Sequence, residues 1–243
     1  MGTKVESSGK EIYFNHKMTV ELVKHSASDE DIAFAARVST EGQRSKETST
    51  KELGGLINFL MRERHGSPFE HSNFTFYVKA PIFVWREHMR HRMASYNEES
   101  GRYKTLDPEF YVPDNQRKLV QVGKTGSYTF EDGDAYQYAN VLGGYMSACK
   151  TAYYAYTEML DVGIAKEVAR GVLPVNIYSS AYVTMNSRAL MNFLSLRQNV
   201  EGQHFPSYPQ REIEMVAEQY ERIFAELMPL THQAFVANGR VAP

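Results

Sequence analysis

A single cysteine, Cys149, leaves no partner for an intramolecular disulfide and too few thiols for a cysteine-rich zinc site. No run of roughly 20 apolar residues occurs, so no membrane-spanning helix is expected. The stretch Met1 to Asn15 is polar and mixed in charge, lacks the apolar core of a signal peptide, and reads as a disordered or tag-like terminus. Strong charge of one sign is also missing. Lys and Arg number 27 against 29 Asp and Glu, a formal net charge of −2, so no global basic field holds nucleic acid. Repeats, low-complexity linkers and composition breaks are absent, which favours one domain over residues 16–243. What remains is 42% hydrophobic and 23% charged, the composition of a soluble, cytoplasmic α/β or α+β protein.

The periodicities divide the chain coarsely. Thr19 to Val23 reads as a strand, and Ser28 with Asp31 opens a short helix through Ala36. Thr40 to Ser49 is loop-like, and Thr50 caps a helix carrying Leu53, Leu56, Ile57, Leu60 and Met61 at helical spacing, with Gly66 past its end. Phe74, Phe76 and Val78 alternate with polar or amphipathic neighbours, predicting a half-buried strand. Pro81 suits the first turn of a helix running towards Arg92. Ser95 to Pro113 looks irregular, and Lys118 to Phe130 looks like a hairpin. A long helix follows from Asp134 to Leu160, with a short one from Ala165 to Val172. Ile177 to Thr184 reads as a strand, Ser187 to Arg197 as a helix, and a last long helix ends before Pro229.

The densest chemistry lies between Arg86 and Lys104. Five permanent cations occur there among Ser95, Asn97, Glu98 and Ser100. Arg86 and Arg90 share a helix face at i and i+4. The planar fork of arginine suits bidentate recognition of phosphate, and the hydroxyl and amide groups suit the polar edges of a base or sugar. A solvated, charged helix end would show similar cations. The crowding of Ser, Asn, Glu and Arg into a loop favours binding.

This stretch matches R-H-R-x-x-S-x-N-E-x-S-x-R-Y at every fixed position, and so resembles the signature of flavin-dependent thymidylate synthases. The resemblance runs through most of the chain from about Val20. It includes His65 to His71 (HGSPFEH), similar to the family's first flavin segment, and Asn186 to Arg197 (NSRALMNFLSLR), similar to its distal segment. It implies that Ser39, Ser67, Glu70, Arg90, His91, Arg92, Glu98, Asn186, Arg188 and Asn192 touch flavin adenine dinucleotide (FAD). It assigns dUMP to Glu87, His88, Met89, Arg90, Glu98, Glu99, Ser100, Gly101, Arg102, Arg170 and Arg197, with Arg197 catalytic. The family fold is α+β, a twisted, mainly antiparallel sheet flanked by helices. Its sites lie between subunits of a homotetramer. The implied reaction methylates dUMP to dTMP with carbon from 5,10-methylenetetrahydrofolate and hydride from flavin that NADPH regenerates. After Arg197 the family passes almost directly into its final helix, whereas here Gln198 to Pro209 forms a longer loop containing His204.

Two residues can be read without the family. On a regular helix Arg188, Asn192 and Ser195 share a polar line, but Arg197 falls with Leu190, Phe193 and Leu194. Such a cation either snorkels to water or meets an anionic ligand. Cys149 lies mid-helix on an apolar face, with only Lys150 adjacent to lower its pKa, which fits a packed thiol better than a nucleophile. Gly123 to Ser127 lacks the spacing of a phosphate loop and reads as a hairpin tip. His65 with His71 and His88 with His91 lack the i, i+4 spacing of a helical metal site, so no metal is expected. The tyrosines of Tyr136 to Tyr156 are expected in the core and at a subunit interface.

Overall fold

The computed structural model describes residues 3–7, 10–41, 49–124 and 127–243. The chain forms a mixed α/β fold with antiparallel strand pairing and flanking helices, grouped in two compact units that interleave along the sequence. Unit 1 comprises Met1–Lys17, Lys79–Arg86 and Glu98–Ser180; unit 2 comprises Met18–Val78, Glu87–Asn97 and Ala181–Pro243.

In unit 1, β1 (Thr3–Ser7) pairs antiparallel with β2 (Lys10–Asn15), and β2 runs parallel to β6 (Glu109–Tyr111). The expectation of a disordered or tag-like N-terminus is therefore corrected. Ile12 and Phe14 alternate onto one face of β2 and are buried with Phe110, Cys149, Tyr153 and Tyr156. Burying two such side chains stabilises the fold by roughly 1.5–3 kcal/mol each, enough to hold a strand whose polar residues suggest a loose end. The hairpin is β7 (Val120–Lys124) with β8 (Ser127–Glu131), while Thr125 and Gly126 at its tip lie outside the described residues. Helix α4 (Ala135–Asp161) starts at an Asp134–Gln137 capping box, and α5 (Lys166–Ala169) leads into a 3-10 turn at Arg170–Val172.

Unit 2 holds β3 (Thr19–Ser26) and the larger parts of β4 (Asn73–Pro81), β5 (Ala94–Glu98) and β9 (Tyr178–Asn186), hydrogen-bonded in the order β3-β4-β9-β5. Strand β5 replaces part of the irregular stretch expected from Ser95 onward. Helix α1 (Asp29–Glu41) runs beyond Ala36, and the rest of the expected loop, 42–48, lies outside the described residues. Helix α2 (Thr50–Arg62) is capped by Ser49, one residue before the expected cap, with Glu52 closing the box. Helix α3 (Ile82–His88) stops short of Arg92. Helix α6 (Ser187–Arg197) is capped by Asn186, and α7 (Arg211–Leu227) packs on α6 and β3. An unexpected α8 (Pro229–Ala237) begins at Pro229, whose missing N–H costs nothing in a first turn.

Candidate functional site

The candidate residues fall into two groups, one in each unit. In unit 2 the first group is built on a buried histidine. His88 is 1% exposed, wedged against Phe193, with Tyr220 Oη 2.9 Å from Nε2 and Tyr96 Oη 3.2 Å from Nδ1. Tyr96 donates to the carbonyls of His88 and His91 at 3.0 and 2.9 Å, so its hydroxyl accepts from His88 Nδ1–H, and Tyr220 donates to Nε2. Burial above all, then the nearby His91, pushes the His88 pKa down to about 3, leaving a neutral ring. The dUMP assignment of His88 is thus narrowed: its ring is occupied in the core, where it anchors a turn carrying the two cations Arg90 and Arg92. That anchor holds the chain from Glu87 to Met93, where Met89, Arg90 and Arg92 are exposed.

Arg197 ends α6 beside this turn, and its side chain is only 20% exposed. Its Nη1 donates to Glu87 Oε2 at 3.0 Å, and its Nε donates to His91 Nε2 at 3.0 Å. Its charge is thus met by a carboxylate of the chain itself, Glu87. His91 must be neutral to accept that bond, and burial, then the Arg197 charge, lowers its pKa to about 4. Glu87 is pushed the other way: burial raises it, Arg197 opposes, and the nearby Glu212 carboxylate raises it further. The rest of the α6 seam, Leu190, Met191, Phe193 and Leu194, is fully buried.

At the opposite end of α6, Arg188 donates from Nη1 to Glu70 Oε1 and from Nε to the Pro243 carbonyl, both at 2.5 Å. A Cβ on Gly66 would lie 2.5 Å from Arg188 Cζ, so glycine is what leaves room for the guanidinium. Ser67 and Glu70 stand in a 3-10 turn, Asn186 accepts from Ala189 N–H at 2.9 Å, and Asn192 is exposed. Ser39 is exposed on α1, with its hydroxyl donating to the Ala36 carbonyl.

The second group belongs to unit 1. Glu98 accepts from Ser179 Oγ at 2.5 Å, and Glu99 accepts from Ser180 N–H at 3.0 Å and Lys104 at 2.7 Å. Ser100 Oγ accepts from Arg102 N–H, and the Arg102 side chain pairs with Glu167 at 2.9 Å. Gly101 is buried beneath Arg170; a Cβ there would meet the arginine stem at 3.2 Å and Leu106 at 3.0 Å. Arg170 itself is exposed. Among the described residues Arg90, Arg92 and Arg170 have no carboxylate within ion-pairing distance. Uncommitted guanidinium forks are the donor set that phosphate groups of a nucleotide or dinucleotide require, so the residues fit both FAD and dUMP. No group of three potential metal ligands occurs among the described residues.

Cys149 lies in unit 1, 1% exposed, with Sγ 3.2 Å from Asn176 Nδ2 and 3.5 Å from Oδ1. Burial raises its pKa, the reverse of what a nucleophilic thiolate needs.

A family model described as thymidylate synthase complementing protein matches residues 21–230. Relatives called flavin-dependent thymidylate synthase include one from Tropheryma whipplei (strain TW08/27), 58% identical over 233 residues, covering 95% of this chain and 97% of that one. The chain belongs to the flavin-dependent thymidylate synthase family. A second such synthase, from Streptomyces coelicolor, is 54% identical over 245 residues, covering 99% and 100% of the two chains. Among solved structures, a UMP/dUMP methylase, PolB from Streptomyces cacaoi, is 52% identical when bound with 5-Br UMP. That likeness has a TM-score of 0.89 and covers 96% of this chain and 100% of that one. The same methylase bound with 5-Br dUMP gives 51% identity and a TM-score of 0.90, covering 95% and 99%.

Several residues of the candidate site are not legible in the sequence. Tyr96 stands at a variable place in the signature, and nothing local reveals that its hydroxyl ties two carbonyls. By sequence Gly66 lies just past the end of a helix, but it is Arg64 that takes the left-handed conformation after α2, at φ 63°. Gly66 next to Ser67 was the available signal that a side chain passes close by.

Proposed function

We propose that the chain is a methyltransferase that converts dUMP to dTMP reductively, with 5,10-methylenetetrahydrofolate as carbon donor, NADPH as reductant and tetrahydrofolate as product. The observation that carries the reading is the Arg197 guanidinium, fixed by neutral His91 and by Glu87 at the end of a buried seam. A cation held in a desolvated setting favours negative charge on a uracil ring nitrogen, and so activates the base without a thiol. Bound FAD would supply the hydride for the reduction. Arg90 and Arg92 would offer forks to phosphate oxygens, with Ser67, Glu70, Glu98, Asn186, Arg188 and Asn192 also towards the flavin. Glu99, Ser100, Gly101, Arg102 and Arg170 would hold the nucleotide. The buried His88 anchor would fix the backbone of the turn that carries Arg90 and Arg92 before substrate arrives.

The functional form we propose is a single-domain subunit that includes the N-terminal strands β1 and β2, in a cytoplasmic homotetramer with sites at subunit interfaces. Exposed apolar side chains on α4, Tyr136, Leu142 and Tyr154, support a partner surface there. No helix among the described residues is long and apolar enough to cross a membrane. The test is to purify the protein, record its absorbance and mass in solution, and assay dTMP with and without flavin. A yellow tetramer whose dTMP synthesis needs flavin is expected; a colourless monomer that cannot be reconstituted would overturn the reading. The UMP/dUMP methylase likeness favours a second reading, in which UMP is also methylated, and the same assay with UMP decides it.

A further inference from the structure

The six residues after α8 touch more of the site than their place at the edge of unit 2 suggests. Asn238 Nδ2 donates to Asn58 of α2 at 2.9 Å. Gly239, at φ 72°, accepts from His204 N–H at 2.9 Å, and a Cβ there would meet His204 Cβ at 3.0 Å. The long loop after Arg197 is therefore seated on this glycine. Arg240 is buried in a left-handed conformation at φ 58°, which a non-glycine residue adopts only where its surroundings fix it. What fixes it is a fork onto Glu221, at 2.6 and 2.9 Å, with the same Nη2 donating to Gln198 Oε1. Burial alone would raise the Glu221 pKa, but hydrogen bonds from His232 and Arg240 hold it near 2, so the carboxylate stays charged. Pro243, also buried, accepts from Arg188 Nε.

These contacts meet at α6. Gln198 caps its C-terminal end and directly follows Arg197; Arg188 stands in its first turn. We infer that the segment Asn238–Pro243 is a positioning element for α6, setting Arg197 through the Arg240–Gln198 bond and Arg188 through the Pro243 carbonyl. The inference rests on the proposed roles of those two arginines, and it adds Gln198 and Arg240 as positioning residues. Neither meets substrate. Their effect is on where a guanidinium points, and a displacement of about 1 Å in such a group is enough to cost orders of magnitude in rate.

The test uses the full chain as flavin-loaded protein. Gln198→Leu removes the acceptor while leaving the Arg240–Glu221 pair intact. It should lower kcat for dTMP about tenfold, with the flavin dissociation constant within about twofold of wild type. If Gln198→Leu does not fold, Gln198→Asn, too short to reach, replaces it. Deletion of residues 241–243 should instead raise the flavin dissociation constant about tenfold, read by fluorescence titration of flavin-free protein. If these variants shift only the melting temperature, with kcat per bound flavin and flavin affinity unchanged, the segment is merely structural and the inference falls. Wild-type protein that binds no flavin would overturn the proposed function as well, so the two failures are distinguishable.

Discussion

Helix α6 carries two arginines under opposite electrostatic conditions. Arg197 sits at the C-terminal end, where the helix dipole favours a cation, and needs only one carboxylate, Glu87, with a neutral acceptor, His91. Arg188 sits in the first turn, where the dipole opposes a cation, and its side chain is about twice as exposed, 41% against 20%. It is tethered by Glu70, by a backbone carbonyl and by the space over Gly66. A cation kept at a helix N-terminus suits a polyanionic ligand, because the arginine and the positive end of the helix dipole both favour negative charge there. A cation kept in a dry seam suits charge that develops during reaction, because an immobile guanidinium needs no reorganisation. On the proposed function, one helix would thereby separate holding from activating.

The largest break in that contrast should come from Arg197→Lys. A lysine keeps the charge but cannot meet Glu87 and His91 with one planar fork. Turnover of dUMP should fall roughly 10²–10³-fold, while flavin content and reduction of the flavin by NADPH persist. Near-normal dTMP formation at saturating dUMP would remove Arg197 from the chemistry.

Arg188→Lys should act on binding instead, raising the flavin dissociation constant by about tenfold, the worth of one good charge-assisted hydrogen bond. Gly66→Ala sharpens the point, because the new Cβ must push the guanidinium aside without touching backbone. Both variants should recover most turnover at saturating flavin. If either abolishes turnover with flavin fully bound, the division of labour along α6 is wrong.

A smaller effect concerns acid. His88 and His91 titrate near 3 and 4 in the folded chain, below the roughly 6.5 of an unfolded histidine. As pH falls below about 6.5 the unfolded chain takes up protons first, so stability present above that pH is lost on the way down to about 3. The melting temperature should therefore decline across that window. His91→Asn, which does not titrate, should flatten part of the decline, and an unchanged slope would mean that another group carries it.

The elements that sequence periodicity places well are those with one wet face and one dry face. Strand β4 shows Phe74, Phe76 and Val78 buried in alternation, and α6 ends at Arg197 as its apolar seam demands. The N-terminal strands were missed because two apolar residues in a polar stretch carry too little signal until β6, almost a hundred residues away, is beside them. Helix α8 was missed because Pro229 reads as a stop as easily as a start. In the site, the signature exposed the cations but not their partners. That Glu87 and His91 both face Arg197, more than a hundred positions later, is a property of the fold and not of spacing.

Cys149→Ala should have the smallest effect, and it tests the contrast from the unit that holds neither α6 arginine. The thiol lies between α4 and Asn176, whose amide also donates to the Tyr111 carbonyl at 2.7 Å. Removing one buried sulfur leaves a small void and an amide short of one weak partner, costing about 1 kcal/mol. For a chain of this size that is roughly 2–4 °C in melting temperature. Because burial raises the thiol pKa, no thiolate is available to attack a uracil ring at neutral pH, and dTMP turnover per folded subunit should stay within about twofold of wild type. The measurement is turnover normalised to bound flavin, alongside the melting curve. Loss of turnover in a folded, flavin-loaded Cys149→Ala protein would make the cysteine a participant, and Arg197 could no longer be the group that replaces it.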